Sequence, residues 1–278
     1  MLTSVQFRDE DNDLLLSMPV GAPSPSTPFF IRNVEGLGPV KASITTSPYS
    51  VLDGARYQSS TVDSRNIVFT VGIKPSSESG YDPAEHREKL YELFPPKSLV
   101  NLSFVKSVFT TGNTETVKIL GYVEGAEPTI FSADTDVQIS VICTLPYFSA
   151  LSTIQISGKL GEPLDLTPFG SAPTGFIFDI TLTKSLRTLT LEVKPGKKLV
   201  LKGSLNAGDR YRVSTVAANK FVYRTRANIT TTELNLISEG TLSLALNKRT
   251  KSFYANKGTA EADKQPFTVQ ATPQFVGL

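Results

Sequence analysis

The sequence predicts a mainly β protein of two domains. An N-terminal β-barrel or sandwich with one α-helix spans 1–150, and a β-sandwich follows over 151–265. Three observations predict it. Apolar residues recur at every second position in segment after segment, as half-buried strands require. Nineteen glycines and 18 prolines break these segments at short intervals, which marks turns. One stretch alone combines helical spacing with start and stop residues for a helix.

The elements follow in chain order. "TSVQF" and "LLLSM" flank "RDEDND" and read as a hairpin, while "GAPSPSTP" at 21–28 has three prolines and reads as a loop or extended arm. "DGARYQSSTVDSRNIVFTVGI" at 53–73 changes character halfway: a polar arm from Asp53 to Ser64 gives way to a strand with Ile67, Phe69, Val71 and Ile73 on one face. "DPAEHREKLYELFPP" reads as a helix. Asp82 caps it, Pro83 suits its first turn, Glu85 completes a capping box, and Pro95-Pro96 stop it. Leu90, Leu93 and Phe94 give it an apolar stripe for packing across the first sheet. "TVKILGYVEG" and "VQISVICTL" restore the alternation through Val117, Ile119 and Val123, then Val137, Ile139, Val141, Cys143 and Leu145.

The second half continues without a helix. "GFIFDITLT" aligns Phe176, Phe178, Ile180 and Leu182, and "LTLEVKPGKKLVLKG" reads as two strands joined through Pro195-Gly196. "DRYRVST", "KFVYRT", "TELNLI" and "TLSLALN" read as further strands. The domain boundary falls near residue 150, and 266–278 is a candidate final strand for the first domain.

Candidate chemistry is sparse. The single cysteine, Cys143, excludes an internal disulfide framework and reads as a buried core thiol. The single histidine, His86, sits on the helix and cannot build a His-rich metal site. Asp9, Asp11 and Asp13 alternate as calcium ligands do. However, Leu14 and Val20 stand where an EF-hand needs Gly and Glu, so a solvated hairpin tip is expected. No catalytic, cofactor or metal residue is assigned, and no cofactor is expected. The acidic start and the lack of a long apolar run argue against a leader peptide and a membrane-spanning segment. A soluble chain made in a cytoplasm is expected.

Charge divides unevenly. Residues 1–150 hold 11 Lys+Arg against 17 Asp+Glu, a net of −6, and residues 151–278 hold 17 against 9, a net of +8. Lys194, Lys197, Lys198, Arg210, Arg212, Arg224 and Arg226 raise the possibility of a basic groove for single-stranded nucleic acid. Arg210 and Arg212 share a face, as do Arg224 and Arg226, whereas Tyr211 and Tyr223 alternate with them and face away. Solvated sheet is therefore the expected reading. With no Trp, a lectin would lack its usual aromatic platform.

"SPYSVLDGARYQSSTVDSRNIVFTVGI", "HREKLYELFPP", "VKILGYVEGAEPTIFSADTDVQISVICTLPYF", "GSAPTGFIFDITL" and "LNAGDRYRVST" together resemble the distal tail (Dit) proteins of long non-contractile-tailed phages. The resemblance implies a ring-forming first domain and a galectin-like second domain. It implies a homo-hexameric ring that joins the tail tube protein to the tail hub and adsorption apparatus, with phage DNA passing through the channel without specific binding. Receptor-binding proteins or fibres are further implied partners, and the distal end of the virion tail is the implied location. On this resemblance Asp53, Arg56, Tyr57, Asp63 and Arg65 are the expected ring-interface or channel-arm residues, with Arg56 or Arg65 pairing with acids of a neighbour; an ordinary flexible hairpin tip is the alternative. A carbohydrate-binding tail component acting through the second sandwich is the alternative, and a hydrolase has the least support.

Overall fold

The computed structural model describes residues 1–74, 82–107, 114–128, 136–165, 170–193, 196–247, 250, 252–257, 260 and 263–278. The chain divides into two compact units: Met1–Ser149 with Val276–Leu278, and Ala150–Phe275. Of 266–278, the candidate final strand of the first domain, residues 266–271 form a strand of the second. Their phenylalanine and valine, Phe267 and Val269, bury in the second core, and only the short 276–278 segment clusters with the first unit.

The first unit contains β1 (Leu2–Arg8), β2 (Leu14–Pro19), β3 (Phe29–Glu35), β4 (Ala42–Pro48), β5 (Ala55–Val62), β6 (Arg65–Ile73), α1 (Pro83–Leu93), β7 (Leu99–Ser107), β8 (Thr114–Pro128), β9 (Asp136–Cys143) and β10 (Phe148–Ala150). Seven of these pair in the order β2-β1-β7-β8-β9-β6-β3. The two ends of that path meet: Val20, just after β2, bridges Ile31 of β3, and the Gly21 N–H donates to the Ile31 carbonyl at 2.9 Å. Closure into a barrel removes both free edges.

The alternation fills the barrel. Val5, Phe7, Ile67, Phe69, Val71, Leu102, Phe104, Val117, Ile119, Val123, Ile139 and Val141 are all buried. Phe7 meets Phe69 edge-on at 5.1 Å and Phe94, at the end of α1, at 5.0 Å. The helix is thus an apolar plug, with Leu90 and Phe94 buried and Leu93 half-buried. Each such buried side chain contributes about 1.5–3 kcal/mol over leaving it exposed. Asp82 caps the helix by accepting from the Ala84 N–H at 2.8 Å.

The second unit packs two sheets. β11 (Ile154–Lys159), β13 (Phe176–Thr181), β16 (Arg210–Val216), β17 (Asn219–Arg226), β18 (Ile229–Thr232) and β21 (Pro266–Ala271) form one, in the order β11-β21-β13-β16-β17-β18. β12 (Pro163–Leu164), β14 (Leu186–Val193), β15 (Lys197–Leu205), β19 (Ile237–Glu239) and β20 (Phe253–Ala255) form the other, in the order β12-β20-β14-β15-β19. Their inner faces enclose Phe176, Phe178, Ile180, Leu191, Leu201, Tyr211, Val213, Phe253 and Phe267. Two expected strands differ. "TELNLI" supplies a 3-10 turn, Leu234–Leu236, before the short β19. "TLSLALN" buries Leu244 and Leu246 through a single bridge from Leu246 to Thr174 rather than along a ladder. Of the expected turn at Pro195-Gly196, Pro195 lies outside the described residues, as does Lys194.

Candidate interface site

Among the described residues β4 and β5 pair only with each other, leaving the barrel between β3 and β6 as a two-stranded arm. Every residue of β5 is exposed, and in β4 all but Ser47 are. Ser and Thr dominate the strands, so the arm brings almost no apolar area to the chain's own cores.

The register sorts the side chains. Thr45 pairs with Ser59, but Thr46 pairs with Tyr57, so Gln58 is a bulge. Ile44 and Thr46 consequently share a face with Ser60 and Tyr57, and the Tyr57 hydroxyl lies 2.8 Å from Ser60 Oγ. Ser43, Thr45 and Ser47 share the opposite face with Thr61, Ser59 and Arg56, where Gln58 Nε2 donates to Ser47 Oγ. The arm thus has one hydroxyl-rich face and one with exposed Ile44 and Tyr57. Its tip adds Tyr49, Val51 at 89% exposure and Leu52 at 73%.

Four of the five residues singled out from sequence lie on or beside this arm. Asp53 is at the tip, Arg56 and Tyr57 project from β5, and Asp63 follows it, accepting from Ser43 Oγ at 2.5 Å. Arg65 does not belong with them. It opens β6 at 2% exposure and cannot reach acids of a neighbour. Its Nε donates to the Pro146 carbonyl at 2.8 Å, Nη1 to Gly38 at 2.6 Å and also to Gly36, and Nη2 to Val276 at 2.7 Å. The guanidinium lies over the Phe148 ring at 4.5 Å. The sequence did carry a signal: Arg65 is in phase with Ile67, Phe69 and Val71, hence on the core face.

Arg65 faces Cys143 across the β6–β9 ladder. Burial lowers the Arg65 pKa from its ordinary value, with Cys143 acting weakly in the other direction; burial pushes the Cys143 thiol up to about 12, against the opposing field of Arg65. That thiol is a core group with negligible thiolate at neutral pH. Leu145, expected on the same buried face, lies beyond the end of β9 and is half exposed.

The basic strands of the second unit dissolve as a groove. Register places Arg212 opposite Tyr223 and Tyr211 opposite Arg224, so the two arginine pairs occupy opposite faces of one sheet. Tyr223 therefore shares the face of Arg210 and Arg212, contrary to the sequence expectation, which lacked the register. The arginines also meet acidic partners, with Arg210 and Arg212 sharing Asp179. Arg210 forks onto Asp179 at 2.9 and 2.5 Å, Arg226 onto Asp209 at 2.7 and 2.8 Å, and Arg224 lies 2.9 Å from Glu233. The hydrogen bonds from Arg226 hold the Asp209 carboxyl below the usual carboxylate range, against the upward pull of burial.

Elsewhere the chemistry is structural. His86 Nδ1 lies 2.9 Å from the Asp82 carbonyl, and its ring meets Phe29 edge-on at 6.0 Å. The "RDEDND" tip is closed by Asp9 Oδ1 accepting from the Asp13 N–H at 2.8 Å. Among the described residues no group of three or more His, Cys, Asp or Glu is placed to hold a metal ion, and no helix is long and apolar enough to cross a membrane.

The phage tail protein RIFT-related domain family matches residues 24–142, the arm included. The fold is similar to that of the Dit protein (gp 19.1) of phage SPP1, described as a paradigm of the hub adsorption apparatus in phages infecting Gram-positive hosts. The TM-score is 0.62 at 12% identity, over 98% of this chain and 99% of that one. The activated phage P2 baseplate with calcium gives 0.45 at 7% identity, over 100% of both chains. No curated protein matches the chain in sequence. The family model thus covers much of the first unit, and the likeness to the SPP1 protein is one of fold.

Proposed function

We infer that this chain, with its phage-tail RIFT-related domain and the two-domain fold of a siphophage distal tail protein, is a non-enzymatic structural component of the distal end of a phage tail. Its first domain closes into a homo-hexameric ring. The ring joins the tail tube to the tip hub and adsorption apparatus and leaves a channel for DNA. The carrying observation is the fold likeness over nearly the full length of both chains.

The exposed arm supports the ring. A hairpin with no third strand is marginal alone, and a neighbouring copy supplies the missing surface for Ile44, Tyr57 and the tip. Asp53, Arg56 and Asp63 then form the polar rim of that contact. The charge split suits a conduit as well. A basic wall would retain DNA by neutralising its phosphates, whereas the ring-forming half carries a net of −6. Glu124 and Glu127 line a surface cleft of the barrel with Gln138 and Ser140, which is acidic ground of the required sign.

Electron microscopy of the purified protein and of tail tips tests the reading. A closed six-membered annulus between tube and hub is expected. A tail tip without such an annulus, or turnover of a cell-wall substrate by the chain, would end it.

A further inference from the structure

We propose that Arg65 and the Val276–Leu278 segment form one latch that fixes the direction of the β4–β5 arm. The arm has two roots. The incoming root is Gly36–Lys41, between β3 and β4; the outgoing root is Asp63–Ser64, which runs directly into Arg65. The arm itself contributes nothing to either hydrophobic core, so its direction is set at these roots.

Arg65 ties them together. From the outgoing root its guanidinium reaches back to the Gly36 and Gly38 carbonyls of the incoming root. The same planar fork reaches Pro146 and Val276, so one side chain holds segments from separated parts of the sequence. These four acceptors are all backbone carbonyls. A planar group with five fixed donors suits that task, and a flexible ammonium does not. Backbone geometry reinforces the knot. Gly36 has φ +83°, and a Cβ there would lie 2.0 Å from the Asn66 carbonyl oxygen, so only glycine lets the incoming root lie against β6 beside Arg65.

The 276–278 segment completes it. The Leu278 N–H donates to the Leu37 carbonyl at 3.1 Å, between the two glycines that Arg65 holds. Gly277 lies against Leu37, Gly38 and Pro39 so closely that a Cβ would meet the Leu37 oxygen at 2.9 Å. Remove the segment, and one arm of the buried guanidinium and the Leu37 carbonyl both lose a partner. Beside the knot a cleft of about 230 Å³, lined by Pro39, Val40 and Ser64 among others, gives the roots room to shift once released.

The inference concerns the single chain, so it can fail while the ring reading survives, and the reverse. Spin labels at Thr45→Cys on β4 and Leu120→Cys on β8 report the arm against the barrel in the full-length monomer. Cys143 is buried and stays unlabelled. Pulsed dipolar spectroscopy should give one narrow distance distribution. Gly277→Val, which levers the segment off without touching Arg65, should widen it at least twofold, and Arg65→Met should do the same. Hydrogen exchange over β7 and β8 should remain protected in Gly277→Val. An unchanged width in that variant overturns the latch. Loss of protection across the barrel overturns it too, because the segment would then support the whole domain rather than the arm.

Discussion

Two hairpins in this molecule have strands of similar length and opposite fates. β16–β17 lies inside the six-stranded sheet, with neighbours on both sides and Tyr211, Val213 and Val222 in the core. Among the described residues β4–β5 has neither a third strand nor a covering layer. What separates them is the inner face. β16 alternates large apolar residues with charged ones, whereas β4 and β5 place hydroxyls on one side and a sparse set of apolar groups on the other. A sheet is stable when an apolar face meets another layer. The first hairpin meets that condition within the chain, and the second meets it only against something else.

The largest test removes one aromatic ring from each environment. Phe178 packs against Phe267 at 5.0 Å and Phe253 at 6.2 Å, so Phe178→Ala should cost the second domain about 3–5 kcal/mol. Tyr57 is 60% exposed, and Tyr57→Ala should change monomer stability by no more than about 0.5 kcal/mol. Denaturant melts of the two variants measure the contrast. Equal losses would mean that the arm is part of a core after all.

Tyr57→Ala and Ile44→Ser sharpen the comparison in a second way. Both should leave the monomer melt in place yet weaken ring assembly at least tenfold, read as the concentration at which rings appear by mass photometry. Rings that form undiminished would place the contact elsewhere on the barrel.

The same contrast explains how much could be read in advance. A strand announces itself when burial imposes a period of two, as in β6, β8, β9 and β13, whereas β3 buries Phe29, Phe30 and Ile31 in succession and gives no such signal. β4 has no buried face, hence no period, and only the polarity of 53–64 marked the arm. For Arg65 the phase with Ile67, Phe69 and Val71 signals burial, but its partners Gly36, Gly38, Pro146 and Val276 are brought together by no local pattern. The grouping of the arginines failed for a different reason: which strand residues share a face across a ladder depends on register, and composition does not encode it. "TLSLALN" alternates as a strand would, yet its leucines fill the core from an irregular segment.

A smaller effect concerns pH. Asp209 has a depressed pKa in the fold because it accepts hydrogen bonds from Arg226. A depressed carboxyl contributes stability that is complete above its unfolded value, about 3.9, and is lost as pH falls through the folded value. Acid should therefore weaken the β16–β17 region below about pH 4 through this pair. Asp209→Asn should lower stability at neutral pH and flatten the acid-side slope of the second domain's melt. A slope unchanged in the variant would assign the acid sensitivity to other carboxyls.

The smallest expected effect on the monomer, and the most discriminating one for the arm, is reversal of Arg56. Its side chain leaves the hydroxyl-rich face near the tip, exposed to solvent, so Arg56→Glu should shift monomer stability by less than about 0.5 kcal/mol. In the proposed ring the same residue would fall in the polar rim of the contact, where charge acts on association rate and salt dependence more than on packing. Assembly of the parent chain should weaken as salt rises from about 50 to 500 mM, because screening shortens the Debye length from roughly 14 to 4 Å. In Arg56→Glu that dependence should flatten or reverse, while Arg56→Gln should fall between the two. If all three assemble with one salt profile, Arg56 meets no acid in the ring, and the contact rests on Ile44, Tyr57 and the apolar tip alone.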